Sequence, residues 1–335
     1  LREAIEHFEG IVEKTPAPAR LCQLADLYIL EGRFDQVEDL LSRGKRESSI
    51  EYRLAVSAFA RGDYVKAQGL FTKLLKSFVG SSFQAIPREH VLHRFLGLSA
   101  LALGSADSAR RCFAGALKLE PRDNWSRYYA ALLDSSQGKW ESARELLSGL
   151  SFNDGQDFSA SLLSAVVAWG RGEVELAWSR CQRALNEADS PRREGMASFL
   201  AGHVASLSGK GGLEASRRFS RAQESFSQWS RPLEELAIIY LDDSDRAAQF
   251  FEKAKSLDEG LSARGSYAYA LLLARKGKIE KALKYFMESA ANYRLRPYAS
   301  YEIARLLRRL GADEQIVSQW LELSKKERDE EASGD

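Results

Sequence analysis

His90 and His93 stand three residues apart beside Glu89. On a helix that spacing puts both imidazoles near one face, an arrangement from which zinc sites can be built. A metal needs further ligands, and none of the usual kind is spaced near this pair, so no metal site is expected. His7 and His203 are isolated in the chain. Gly209-Lys210-Gly211-Gly212 has the glycine content of a phosphate-cradling loop but lacks its serine or threonine and its upstream glycine; it reads as a loose turn. Cys22, Cys112 and Cys181 are far apart, odd in number and without metal-ligand spacing, and read as buried free thiols. Asn124-Trp125-Ser126 is a formal glycosylation triplet, short enough to arise by chance. No nucleophile, base and orienting group can be assembled from these residues, and neither an enzyme nor a cofactor is expected.

The elements that would position these side chains form a repeat. Seven times a glycine is followed five residues later by a small or branched apolar residue: Gly32/Val37, Gly62/Ala67, Gly104/Ala109, Gly138/Ala143, Gly172/Ala177, Gly277/Ala282 and Gly311/Ile316. Gly104, Gly138 and Gly172 are 34 residues apart, as are Gly277 and Gly311. A period of this length marks a solenoid of helical hairpins, each hiding its apolar face against its neighbours. Eight and seven residues before the glycine stand pairs such as Leu24-Ala25, Leu96-Gly97 and Ile303-Ala304, whose small members let two helices approach. Two residues after it comes a turn plug, as at Phe34, Tyr64, Trp140, Val174 and Ile279, and nine after it a bulky residue, as at Leu41, Phe71, Phe113, Leu147, Phe286 and Trp320. With the small residue four before, the bulky one makes an i, i+4 stripe on a second helix. Glycine supplies the left-handed conformation that ends the first helix without steric penalty.

These residues resemble the tetratricopeptide repeat. Its consensus runs bulky, small, aromatic, turn glycine, alanine, aromatic, alanine, closing proline. The unit from Ser230 shows Leu236, Ala237, Tyr240, Ala247, Phe251 and Ala254; the unit from His90 shows Leu96, Gly97, Gly104, Ala109, Phe113, Ala116 and Pro121. Asp134 departs from the aromatic, Asp313 from the turn plug, and only Pro16 and Pro121 stand at the closing position. The resemblance covers nearly the whole chain. It implies an all-α, right-handed superhelical solenoid of about nine hairpins plus an N-terminal half repeat, with a concave groove used for protein binding.

Along the chain, residues 1–17 are expected to be the second helix of a repeat whose first helix precedes Leu1, because Ala4, Phe8, Ile11 and Pro16 fit that helix. The chain thus reads as truncated there, and a signal peptide, an anchor or further repeats upstream stay open. Repeats one to five fill 18–189, with an irregular loop at 79–89 where the glycine interval is too long; repeats six to nine fill 190–324, closing on a cap helix carrying Ile316, Trp320 and Leu323; 325–335 is a polar tail. A boundary near Ser190 would divide two subarrays of one continuous core.

Lysine plus arginine and aspartate plus glutamate nearly cancel, 48 against 47, so no overall field draws the chain to nucleic acid or an anionic membrane. No apolar run is long enough to span a bilayer. A soluble protein is expected, cytoplasmic or periplasmic.

By the resemblance, the second, fifth, ninth and twelfth positions of each first helix line the groove. Along repeats two to five these are Tyr52, Val56, Phe59, Val91, Arg94, Leu98, Leu101, Trp125, Tyr128, Leu132, Leu162, Val166 and Trp169. This apolar, aromatic stripe suits an amphipathic helix or extended peptide of a partner protein, unless the chain itself, the 79–89 loop or a second copy covers it. The family's clamp for a C-terminal carboxylate needs lysine, asparagine and arginine over three consecutive repeats, and these positions hold one arginine and no asparagine. Further on the lining changes to Arg264, Tyr267, Tyr298, Tyr301, Arg305 and Arg308, a basic aromatic patch for an acidic peptide or phosphate, or a solvated face whose arginines pair with Glu302 or Glu314. The leading reading is a non-catalytic scaffold or adaptor. The alternatives are a docking module of a larger enzyme or cell-envelope assembly, and an RNA-binding repeat using the arginine patch, which the neutral charge disfavours. The apolar face of the incomplete first repeat makes a homodimer a further expectation.

Overall fold

The computed structural model describes residues 1–45, 47–77, 88–150, 157–209, 211–257 and 260–333. Their regular structure is entirely α-helical, in two compact units, Leu1–Phe152 and Asn153–Asp335. The first unit holds α1 (Arg2–Lys14), α2 (Pro18–Glu31), α3 (Phe34–Ser42), α4 (Ser48–Arg61), α5 (Tyr64–Ser77), α6 (Glu89–Ala102), α7 (Ala106–Leu119), α8 (Asn124–Ser136) and α9 (Trp140–Leu147). The second holds α10 (Asp157–Gly170), α11 (Val174–Glu187), α12 (Pro191–Leu207), α13 (Gly211–Ser225), α14 (Arg231–Ile239), α15 (Ser244–Lys255), α16 (Ala263–Arg275), α17 (Ile279–Ala290), α18 (Arg296–Arg309) and α19 (Glu314–Ser333). After α1 the helices pack in sequential pairs, the fold expected from the repeat.

Seven of these pairs turn on a repeat glycine, while α12 and α14 end without one. All seven repeat glycines have left-handed φ, from 71° at Gly277 to 90° at Gly62. At every one the glycine N–H donates to the carbonyl three residues back and the next N–H to the carbonyl five residues before it, as in Gly62 to Phe59 (3.0 Å) and Asp63 to Ala58 (2.9 Å). This double closure satisfies the last carbonyls of the first helix. It also fixes the groove positions nearest the turn, since Phe59, Leu101 and Trp169 each supply one of those carbonyls.

The core lies where second helices meet the small residues of first helices. Phe71, Phe113, Phe219, Phe251 and Phe286 occupy one repeat position and are fully buried, each four residues after a fully buried alanine. Burying such a ring contributes about 1.5–3 kcal/mol. The close approach is visible at Gly97 and Gly202, where a Cβ would come within 2.6 Å of the Phe113 and Phe219 rings.

Several local expectations shift. In α1 the buried residues are Ile5 and Val12, with Phe8 packed beside them, while Ala4 is exposed. In α19 Val317 is fully buried and Ile316 is 47% exposed, so the expected Ile316 stripe is displaced by one residue. The cause lies in the turn. The other glycine-ended first helices are followed by a second helix that begins two residues past the glycine, but after Gly311 it begins three past, and one extra residue rotates the helix by about 100°. The polar run from Lys325 continues α19 to Ser333 rather than leaving the helix. Ser190, placed at a subarray boundary by the sequence, lies inside the second unit, where it caps α12 by accepting from the Arg193 N–H. Most of the 79–89 loop lies outside the described residues; Arg88 is the N-cap residue of α6 and Glu89 begins it.

Candidate functional site

In the first unit the stripe falls on α4, α6 and α8. Tyr52 and Phe59 both approach Phe95 of the next first helix, at 6.4 and 5.4 Å between ring centroids. Leu98 and Leu101 pack on the cluster around Phe113. Trp125 stacks on Tyr129 at 6.0 Å and meets Tyr128 edge-on at 6.4 Å. All of these are half-buried, and Leu132 is exposed. Each ring packs against neighbouring rings and keeps part of its surface accessible; such aromatic pairs contribute about 0.5–1.5 kcal/mol beyond their buried area. Burial also pushes the Tyr52 and Tyr129 phenols up in pKa, so they act here as hydroxyls.

Arg94, the one cation in this stripe, donates from Nη1 to Asp123 at 2.7 Å, and Asp123 also accepts from the Ser126 hydroxyl at 2.5 Å. Asp123 was not singled out by the sequence. Ser126 is fully buried in this network, which places the third residue of the glycosylation triplet inside helix packing.

Trp169 belongs to the second unit. There it stacks on His203 of α12 at 5.7 Å, and Phe199 meets the same imidazole edge-on at 4.7 Å. His203, isolated in sequence, is held down to a pKa of about 4, first by burial and then by Arg264. Its Nε2 is 3.9 Å from Glu235 of α14, and Glu235 accepts from Arg264 of α16 at 2.8 Å. Burial raises the Glu235 pKa, with Arg264 opposing. The structure thus joins Trp169, His203, Glu235 and Arg264 across four consecutive first helices.

The remaining patch residues lie on α18. Tyr298 and Tyr301 are half-exposed. Arg305 Nη2 lies 2.6 Å from Glu302, and Arg308 forks onto both Glu314 oxygens at 2.9 Å. A cavity of about 260 Å³ is lined by Tyr301, Ala304, Arg305, Arg308, Arg309 and Leu321. The sequence named Glu302 and Glu314 as partners of these arginines; what it missed are Glu234 and Glu235, adjacent acids in the apolar pattern of α14, which only a position-by-position reading of first helices would have marked.

Among the described residues no three histidine, cysteine, aspartate or glutamate side chains converge as a metal site; His93 Nε2 lies 3.9 Å from Glu89 and its ring packs against Gly115. The three cysteines are free, with Cys22 and Cys181 buried and Cys112 half-buried. Burial raises all three thiol pKa values, Cys181 to about 12, which keeps them unreactive at neutral pH. Among the described residues no helix is long and apolar enough to cross a membrane.

A tetratricopeptide repeat model matches residues 52–124, from α4 to the start of α8. The fold is similar to a tetratricopeptide repeat protein from Parabacteroides merdae, at 15% identity over 83% of this chain and 98% of that one, with a TM-score of 0.61. It is also similar to the apo form of RapI, at 12% identity over 94% and 98% of the two chains and a TM-score of 0.63. A human IFIT1 dimer with PPP-AAAA aligns at 15% identity over 98% of this chain and 83% of that one, TM-score 0.60. A sequence search of curated proteins found no match. Residues 52–124 thus carry the tetratricopeptide repeat, and the fold of the chain is that of tetratricopeptide repeat structures.

Proposed function

We propose that this chain is a non-catalytic interaction scaffold that binds a partner peptide or helix along the aromatic faces of its first helices. Tetratricopeptide repeats are in general protein-binding, and the observation that carries the reading is the accessible surface kept by Trp125, Tyr128 and Leu132, side chains half-buried or exposed on one helix. Large rigid rings that keep accessible surface bury much area at little entropic cost when a partner docks. Trp169 extends the same chemistry in the second unit. A docking module of a larger assembly would use the same surface.

The test is affinity capture from native extract with the wild-type chain and a Trp125→Ala, Tyr128→Ala, Trp169→Ala variant as parallel baits, read by mass spectrometry. Selective loss of one protein from the variant, with unchanged helicity by circular dichroism, supports the groove. Identical capture by both baits would overturn it.

A further inference from the structure

The first-helix arginines of the second unit share an arrangement that their net charge conceals. In three ion pairs the carboxylate is buried and the guanidinium is exposed: Glu235 is 12% exposed against 57% for Arg264, Glu302 14% against 52% for Arg305, and Glu234 3% against 36% for Arg231. A ligand approaching this face meets cations, while their counter-charges sit behind them. Glu234 is itself held by the next repeat. Glu234 accepts from the Ser262 N–H at 2.9 Å and from the Ser262 hydroxyl, tying α14 to the cap of α16. Glu235 lies beside the His203 ring, and Glu302 beside the Tyr267 phenol, which also feels Arg305 and Tyr298. Each guanidinium has five N–H donors, and in these pairs a single nitrogen lies against the glutamate, so donors remain for a second acceptor.

We propose that Glu234, Glu235 and Glu302 are sockets that aim Arg231, Arg264 and Arg305 at an acidic, extended segment of a partner protein, with Tyr298 and Tyr301 taking its apolar side chains. This rests on the scaffold reading but uses a different surface from the Trp125 stripe. Arg231, Arg264 and Tyr298 hold one repeat position on consecutive first helices. Packed helices lie about 8–10 Å apart and an extended chain advances about 3.3 Å per residue, so acidic residues about three apart would meet Arg231 and then Arg264, with Tyr298 at the third step and Arg305 about two turns further along α18. A polyanion fits less well. Its affinity comes from net positive charge and counterion release, and here each arginine is already neutralised once within a chain of net charge +1. Directional donors to individual carboxylates remain.

The test separates aiming from charge. A fluorescein-labelled peptide repeating Asp-Leu-Phe is titrated at low salt against the full chain, with oligoadenylate as the polyanion control. Arg264→Ala and Arg305→Ala are each expected to weaken peptide binding about tenfold, the loss of one charge-assisted hydrogen bond. The deciding variants are Glu235→Gln and Glu302→Gln. If the patch were a simple field, removing a negative charge would tighten an acidic ligand; as sockets, their loss weakens it several-fold. Circular dichroism melts confirm that the variants fold, and two independent sockets guard against one failing to. Tighter binding by both glutamine variants, no peptide binding at low salt, or oligoadenylate binding as well as the peptide would each overturn the proposal. The Trp125→Ala, Tyr128→Ala variant is expected to bind the peptide normally, so failure of the apolar stripe and failure of this patch are read separately.

Discussion

The rings of Trp169 and His203 lie face to face in different repeats, 5.7 Å between centroids and 21° from parallel. Phe199 and Phe219 close on the same imidazole edge-on, so a charged His203 would lose its hydration inside an aromatic box. Glu235 at 3.9 Å is the nearby acid, and Arg264 opposes it as the nearby cation. The balance lowers the His203 pKa from 6.5 to about 4.

The consequence for stability has a definite sign. Between pH 6.5 and 4 the unfolded chain binds a proton at His203 that the folded chain does not, so stability falls as pH falls through that window, by roughly 3 kcal/mol in all. Glu235, whose folded pKa is raised, opposes this above its ordinary range, since the folded chain there keeps a proton that the unfolded chain has lost. Urea denaturation of wild type and His203→Gln from pH 7 to 4 checks the histidine part: the variant is expected to lack most of the acid-side loss. An imidazole resonance that titrates near 6.5 in the folded chain would sink the account.

Two glycines of the first unit are expected to fail for different reasons. Gly62 has open space where a methyl group would sit but a φ of 90°, so Gly62→Ala costs about 1–2 kcal/mol through backbone strain. Gly97 lies inside α6, and its added Cβ would fall 2.6 Å from Phe113, so Gly97→Ala is costly through overpacking. A smaller residue behind it separates the two: Phe113→Leu should partly offset Gly97→Ala and leave the cost of Gly62→Ala unchanged. Equal behaviour of both double variants in thermal melts would contradict this.

The repeat was legible because the turn chemistry is local. Gly62 and the hydrogen bonds around it depend on a few consecutive residues, and Ala67 with Phe71 follows at a fixed offset, so period and burial could be read together. The surface was less legible because it depends on neighbouring repeats. Tyr52 and Phe59 read as groove residues, but how much of each ring Phe95 covers follows from helix approach, which no single repeat encodes. His203 looked isolated because Trp169, Glu235 and Arg264 come from three other helices. The end repeats slipped by one position because Ile316 and Val317 are equally apolar, and only the length of the turn before them chooses which one points inward.

That choice is testable by paired truncation. Val317→Ala removes methyl groups from a fully buried site and should cost about 1–3 kcal/mol, whereas Ile316→Ala removes a half-exposed side chain and should change stability by less than about 0.5 kcal/mol. Amide hydrogen exchange in α18 and α19 is the sensitive readout, because a repeat array opens locally from its ends. If Ile316→Ala accelerates exchange more than Val317→Ala, the helix sits in the position that the glycine spacing predicts rather than one residue further round.

Arg94 separates structural from binding roles within the apolar stripe. Its guanidinium and Asp123 join α6 to the start of α8, and Asp123 is 7% exposed against 20% for Arg94. Removing the arginine leaves a nearly buried carboxylate with, among the described residues, Ser126 as its side-chain donor, so Arg94→Ala should destabilise the first unit by about 3 kcal/mol. Asp123→Asn keeps an oxygen for Ser126 and should cost about 1 kcal/mol. In the double variant the two losses should be strongly non-additive, because the second change removes the charge stranded by the first. Additive losses in urea denaturation would mean that Arg94 and Asp123 act independently, and Arg94 would then return to the surface as a candidate ligand contact beside Trp125.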